Sequence, residues 1–233
     1  MQQNATPNPV TELPDLEVEV TGWIPFEQRL NQNSRWALNE GSLFFQDHGA
    51  VQQAMRRITL RLDELNIPYA IVGGMALFQY GFRRFTEDVD LLVTPAGLQM
   101  IHENLTGRGY LESFAGSRSL RDTEHGVKIE FLLTGGFPGD GKPKPVAFPD
   151  PTQVYVERDG RKYVPLTTLI ELKLASGMTN SRRLKDLADV QELIKALKLP
   201  MEFADGLHPY VQEKFRELWA PSDPGDEELR SIS

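Results

Sequence analysis

Residues Tyr69 to Val93 read YAIVGGMALFQYGFRRFTEDVDLLV, and the reading of this stretch decides the fold. Tyr69 to Val72 is a short apolar strand. Gly73 and Gly74 end it and open a helix from Met75 to about Tyr80, which Gly81 closes as a C-cap. The loop Phe82 to Glu87 carries Arg83, Arg84 and Thr86, and Asp88 to Val93 is a second strand. Aspartate is a poor strand residue. Two aspartates bracketed by Val89, Leu91, Leu92 and Val93 therefore need a reason. Side chains alternate across a strand, so Asp88 and Asp90 share a face, roughly 6–7 Å apart along the chain. Two carboxylates so placed can grip a pair of metal ions about 3.5–4 Å apart.

Outward from this stretch the chain reads as a mixture of helices and strands. A helix is expected over about Ala50 to Leu65, with Val51, Met55, Ile58, Leu60, Leu62 and Leu65 at roughly helical spacing. Asn66-Ile67-Pro68 stops it. Thr94 is placed as the N-cap and Pro95 as the first residue of a helix reaching Leu105. Residues 117–133 read as two strands around a turn at Glu124-His125-Gly126. On the second, Lys128, Glu130 and Leu132 lie on one face, so Glu130 is a third carboxylate in a central-looking strand. Residues 134–151 form a Gly/Pro-rich loop without periodicity, a length that is uncommon in a compact domain unless it is functional or mobile.

The remainder reads as helical. Thr167 and Thr168 are expected to cap a helix that stops at Gly177. Asn180 or Ser181 caps another, with Leu184, Leu187, Ala188, Leu193, Ile194 and Leu197 as its apolar stripe. One more amphipathic helix is expected over about 207–219. Residues 1 to about 16 read as a tail, Leu16 to Val20 as an edge strand, and the aromatics of 23–46 as an extension packed on the main body. This divides the chain into an N-terminal tail and extension (1–48), a core (49–165), a helical C-terminal region (166–220) and a tail (221–233).

Composition narrows the function classes. Of 233 residues 40% are hydrophobic, so a sizeable core is attainable. The net charge is −8 with a pI near 5.1, so contact with a polyanion needs a local basic patch. The absence of cysteine excludes disulfides and thiolate zinc sites. No secretory signal pattern and no apolar run of the roughly 18–20 residues that span a bilayer is seen, which gives a cytoplasmic protein without membrane contact as the expectation. The four histidines are scattered, and neither G-x-G-x-x-G nor a Walker A loop is present.

The order Val72-Gly73-Gly74, short helix, Arg/Thr loop, Asp88-Val89-Asp90-Leu91, then a later strand with one carboxylate, resembles the nucleotidyltransferase fold of the DNA polymerase β superfamily. The later segments LIELKLAS and RRLKDLADV are similar to the AbiEii-type branch, which includes nucleotidyltransferase toxins. The resemblance covers about residues 50–200. It implies an α+β nucleotidyltransferase fold, a small mixed sheet flanked by helices with a helical C-terminal part. It also implies a Mg²⁺- or Mn²⁺-dependent enzyme moving NMP from an NTP such as ATP to an RNA (tRNA included), protein or small-molecule acceptor. A role in toxin–antitoxin systems or phage defence, with an antitoxin partner, follows from the branch alone.

The resemblance also assigns roles. Asp88, Asp90 and Glu130 would hold the metal, and Glu130 would assist as general base. Alternation in V-K-I-E is ordinary in any strand, so a solvent-facing acid that serves solubility is the alternative reading of Glu130. Gly73 and Gly74 would bring backbone N–H groups to the triphosphate, or serve as a tight turn where a side chain would clash. Lys173 would contact the phosphates, or snorkel from a helix flank. Arg83, Arg84, Thr86, Lys185 and Asp186 complete the expected nucleotide-binding set, with Arg182 and Arg183 beside them as a basic cluster and Asp189 one turn beyond Asp186. A strip of Arg182, Arg183, Lys185, Lys142 and Lys144 would guide RNA. The rival reading is a non-catalytic nucleotide- or partner-binding module that retains the same fold.

Overall fold

A computed structural model describes residues 24–220. The expected tails and the Leu16–Val20 strand lie outside the described residues. The centre is a seven-stranded mixed sheet ordered β3-β4-β5-β2-β1-β7-β6. Its strands are β1 (Tyr69–Val72), β2 (Asp88–Val93), β3 (Tyr110–Glu112), β4 (Ser119–Asp122), β5 (Lys128–Leu133), β6 (Val156–Arg158) and β7 (Arg161–Tyr163). β1 and β2 pair antiparallel, setting Val72 opposite Asp90. β2 and β5 pair in parallel, setting Asp90 opposite Glu130. The chain is thus α+β, with helices flanking the sheet.

Local signals account for the elements around β2. Helix α3 (Ala50–Glu64) buries Val51, Met55, Ile58 and Leu62, one per turn, and leaves Leu60 in solvent. The left-handed Asn66 ends it, and Ile67 N–H closes on Leu62 O at 2.9 Å. All four residues of β1 are buried. Helix α4 (Gly73–Gln79) follows without an intervening residue, and Gly81, at φ +98°, turns the chain out of it. Thr94 caps helix α5 (Pro95–Leu105) by accepting from Gly97 N–H at 3.0 Å, as its N-cap position demands.

Residues 24–46 form α1 (Phe26–Gln32) and α2 (Ser34–Phe45), and they are built into the body. Phe26 N–H donates to Gly126 O at 3.0 Å, and Arg121 grips Glu27 through two hydrogen bonds of 2.8 Å. Phe44 is buried against the rings of Phe78 and Phe85. One hydrophobic cluster includes residues from Phe26 to Phe215, so burying these aromatics stabilises the same core that holds the sheet.

The C-terminal part contains α6 (Leu166–Thr179), a 3₁₀ turn (Ser181–Arg183), α7 (Leu184–Leu197), a second 3₁₀ segment (Met201–Gly206) and α8 (Pro209–Trp219). Several expectations need correction here. Pro165, not Thr167 or Thr168, occupies the N-cap of α6, and the helix runs through Gly177 to Thr179. Gly177 marks a close approach instead: a Cβ there would sit 3.3 Å from Arg183 O and tighter still on Leu187. The stripe of α7 is also rotated. Leu184 is 64% exposed and Ala188 lies in solvent, while Asp186, Asp189, Val190, Leu193 and Ile194 turn inward. Two acids are tolerated there because cations meet them.

Candidate active site

Asp88 and Asp90 lie on one face of β2, and Glu130 projects beside Asp90 from β5. Carboxylate oxygens of the three lie within 4.8 Å of one another. Parallel pairing in this register makes the cluster: β2 presents alternate residues, and β5 places its own alternate residue next to Asp90. Burial, then the charges of Asp88 and Glu130, push the Asp90 carboxyl up to about 7, although Lys173 and Arg183 oppose the rise. Thr86 donates to Asp88 at 2.8 Å, and Lys128 donates to Glu130 at 2.7 Å. The cluster is short of positive charge. A hard divalent cation, which favours several carboxylate oxygens, fits that donor set.

The diglycine is fixed by this cluster. Gly73 has φ +65°, and a Cβ there would collide with the Asp90 carboxylate. A Cβ on Gly74 would come 2.8 Å from Thr86. The turn must be bare so that β1, α4 and the loop before β2 can close around the two aspartates.

A cavity of about 760 Å³, counted with its open mouth, lies over the three carboxylates. Of the expected residues, Gly73, Gly74, Arg84, Thr86, Asp88, Asp90, Glu130, Lys173, Lys185 and Asp186 line it. Arg83 does not. Its guanidinium stacks over the Phe78 ring at 5.2 Å, on the outside of the loop. Arg183, expected only as part of a basic cluster, lines it from the turn before α7. Sequence reasoning gave no wall role to Leu132, which extends the Glu130 face of β5, to Ser176 of α6, or to Pro138, Gly139 and Phe148 of the long loop.

Opposite the acids, the wall is a buried ionic network. Lys173 Nζ donates to Asp186 at 3.0 Å and to Asp189 at 2.7 Å, and Ser176 donates to Asp186 at 2.7 Å. Arg84 closes on Asp189 with two hydrogen bonds of 2.7 and 2.9 Å. Lys173 therefore does not snorkel. It is 6% exposed and held between two carboxylates from α7. Burial raises the Asp186 carboxyl, but the Lys173 charge and the Ser176 hydrogen bond outweigh it, and the net is a lowered pKa. Asp189 joins the loop before β2 to α6 and α7. The sequence placed it on the right helix face but not in this pairing.

The long loop is stitched in place. Gly135 N–H donates to Phe148 O and Phe148 N–H to Gly136 O, both at 2.8 Å. Asn180 donates to Gly139 O at 3.1 Å. Lys144 turns inward, donating to Pro138 O at 2.6 Å and Asp140 at 2.5 Å, so it does not join a basic strip for RNA. Lys142 is exposed and does not line the cavity.

No family model matches the sequence, and no curated protein matches it. Solved structures do resemble it in shape. A candidate nucleotidyltransferase from H. pylori aligns with a TM-score of 0.43 at 18% identity, over 86% of this chain and 99% of its own. ANT(2")-Ia, in complex with adenylyl-2"-tobramycin, aligns with 0.40 at 14% identity, over 72% and 98%. An antigenic nucleotidyltransferase-like protein from Paracoccidioides brasiliensis aligns with 0.38 at 18% identity, over 59% and 72%. Likeness at this level decides neither activity nor substrate, and the functional reading rests on the site's own geometry. Among the described residues no helix is long and apolar enough to cross a membrane.

Proposed function

We propose that the protein is a Mg²⁺-dependent nucleotidyltransferase that moves NMP from an NTP to an acceptor hydroxyl on an RNA, a protein or a small molecule. The observation that carries this reading is the cluster of Asp88, Asp90 and Glu130, undercompensated in charge at the floor of an open cavity. Asp88, Asp90 and Glu130 would hold the metal. Bound there, a divalent cation supplies neutralisation of phosphoryl oxygens and a lowered pKa for an acceptor hydroxyl.

The chain's own residues do the rest. Thr86 fixes the Asp88 carboxylate, and bare Gly73 lets Asp90 sit at the turn. The acceptor oxygen attacks the α-phosphorus, the bond to the β-phosphate bridge breaks, and pyrophosphate departs. Glu130, on the open side and paired with Lys128, is the general base nearest the reacting centre in this reading. Lys173, held by Asp186 and Asp189, presents fixed positive charge in the wall rather than a mobile tail. The AbiEii-type branch, a cytoplasmic setting and a toxin role with an antitoxin partner rest on the sequence alone.

The test is transfer of label. Purified protein with Mg²⁺ or Mn²⁺ and each α-labelled NTP is offered total bacterial RNA, total protein and a panel of hydroxylated small molecules. Label on one acceptor class, absent with the Asp88→Asn/Asp90→Asn variant, is the expected result. Equal labelling by the variant would refute the assignment of the acids.

A further inference from the structure

Four cationic side chains line the cavity: Arg84, Lys173, Arg183 and Lys185. The first two are already spent. Arg84 is bound bidentately by Asp189, and Lys173 lies between Asp186 and Asp189, so two cations meet two anions. Arg183 and Lys185 have no side-chain hydrogen bond or ion pair to any described residue. Their backbone is nonetheless fixed. Arg183 N–H donates to Asn180 O at 2.8 Å, and its carbonyl abuts α6 where Gly177 lacks a side chain. Two cations at the start of α7 also oppose that helix's dipole, and Asp186 in the same turn, which offsets part of that cost, accepts its hydrogen bonds from Lys173 and Ser176 rather than from either of them.

The cavity is therefore bipolar, with an acid floor and a cationic rim. A ligand that satisfies both ends carries a divalent cation and a chain of phosphates. A guanidinium matches phosphate oxygens through paired donors, which a lysine cannot do.

We infer that Arg183, with Lys185 beside it, holds the β- and γ-phosphates of the bound nucleotide and receives them as departing pyrophosphate. The inference rests on the nucleotidyl-transfer reading. In the step, the acceptor oxygen bonds to the α-phosphorus while the α-phosphorus–bridge oxygen bond breaks. The bond's electron pair leaves with pyrophosphate against Arg183, and the acceptor proton passes to Glu130 or water. Arg84, expected from the sequence to touch phosphate, stays with Asp189.

The experiment is calorimetric titration of wild type, Arg183→Ala, Arg183→Gln and Arg183→Lys with Mg²⁺ and, in turn, a non-hydrolysable NTP, inorganic pyrophosphate and NMP. Labelled transfer and melting temperature are measured on the same samples. Loss of one charge-assisted phosphate contact weakens NTP and pyrophosphate binding by about tenfold to a hundredfold. NMP affinity and melting temperature stay at the wild-type values, Gln matches Ala, and Lys recovers part of the loss. Wild-type affinity for NTP and pyrophosphate in both neutral variants, with transfer intact, overturns the clamp and leaves the transferase reading standing. An equal loss of NMP affinity also overturns it. If wild type binds pyrophosphate through Arg183 yet transfers no label, the clamp holds and the transferase reading fails.

Discussion

The floor and the wall of the cavity are both acidic, and they are built on opposite principles. On the floor, Asp88, Asp90 and Glu130 crowd together with one lysine among them, and the Asp90 carboxyl is driven up to about 7. In the wall, Asp186 and Asp189 are more deeply buried, yet Lys173 and Arg84 match them charge for charge, and the Asp186 carboxyl is held below its usual range. A buried acid that finds its cation within the chain is structural. A cluster that lacks one is waiting for a ligand. The two regions should respond oppositely to removal of an acid, and that difference can be measured.

The largest effect is on activity. Asp88→Asn/Asp90→Asn should lower nucleotidyl transfer by about a thousandfold or more, because several kcal/mol of charge stabilisation are lost. A radiometric assay under saturating NTP measures it. Transfer within tenfold of wild type would break the comparison at the floor. Next comes Asp189→Ala, which strands Arg84 without a carboxylate and leaves Lys173 with Asp186 alone. Breaking a buried ion pair from one side costs about 3–5 kcal/mol, so the urea midpoint should fall sharply. An unchanged midpoint would mean that the wall is not self-sufficient.

Gly73→Ala sharpens the account from the backbone side. A side chain at φ +65° facing the Asp90 carboxylate should cost about 1–3 kcal/mol by chemical denaturation and displace the floor. Neutral substitution with retained metal binding would contradict the close packing of the turn. The smallest effect has the opposite sign. A carboxyl whose folded pKa is about 7, against 3.8 when unperturbed, withdraws stability as the pH rises between those values. Asp90→Asn removes that loss, so in EDTA at pH 8 it should melt above wild type by about 2–4 °C. The gain should shrink towards pH 4, and a lower melting point at pH 8 would contradict it.

Much of the floor was legible because its signals are local. The alternation DVDLLV gives a strand and a shared face without knowledge of the rest, and its bounds and those of β1 agree with the structure. The Thr94-Pro95 cap is likewise written in adjacent residues. The strands β3, β6 and β7 have three residues each, too short to display a period. The wall was harder to read for a different reason. An acid facing the core of α7 looks like a break in an apolar stripe until Lys173 and Arg84 are brought against it, and those partners lie 16 and 105 residues from Asp189. The same non-local pairing removes Arg84 from the free cations and leaves Arg183. Arg83 fails as a site residue because the irregular loop before β2 sends neighbouring side chains opposite ways. Arg84 turns inward, while Arg83 stacks on Phe78.

The most direct test of the difference between floor and wall is the thermal shift that Mg²⁺ and a non-hydrolysable NTP produce together. A ligand that binds only the folded state stabilises it by about 2.7 kcal/mol at a hundred times its Kd, which corresponds to several degrees for a chain of this size. Wild type should show that shift, and Asp88→Asn/Asp90→Asn should not. An equal shift in the variant, or none in wild type, would contradict a floor built to be completed by a cation and a nucleotide.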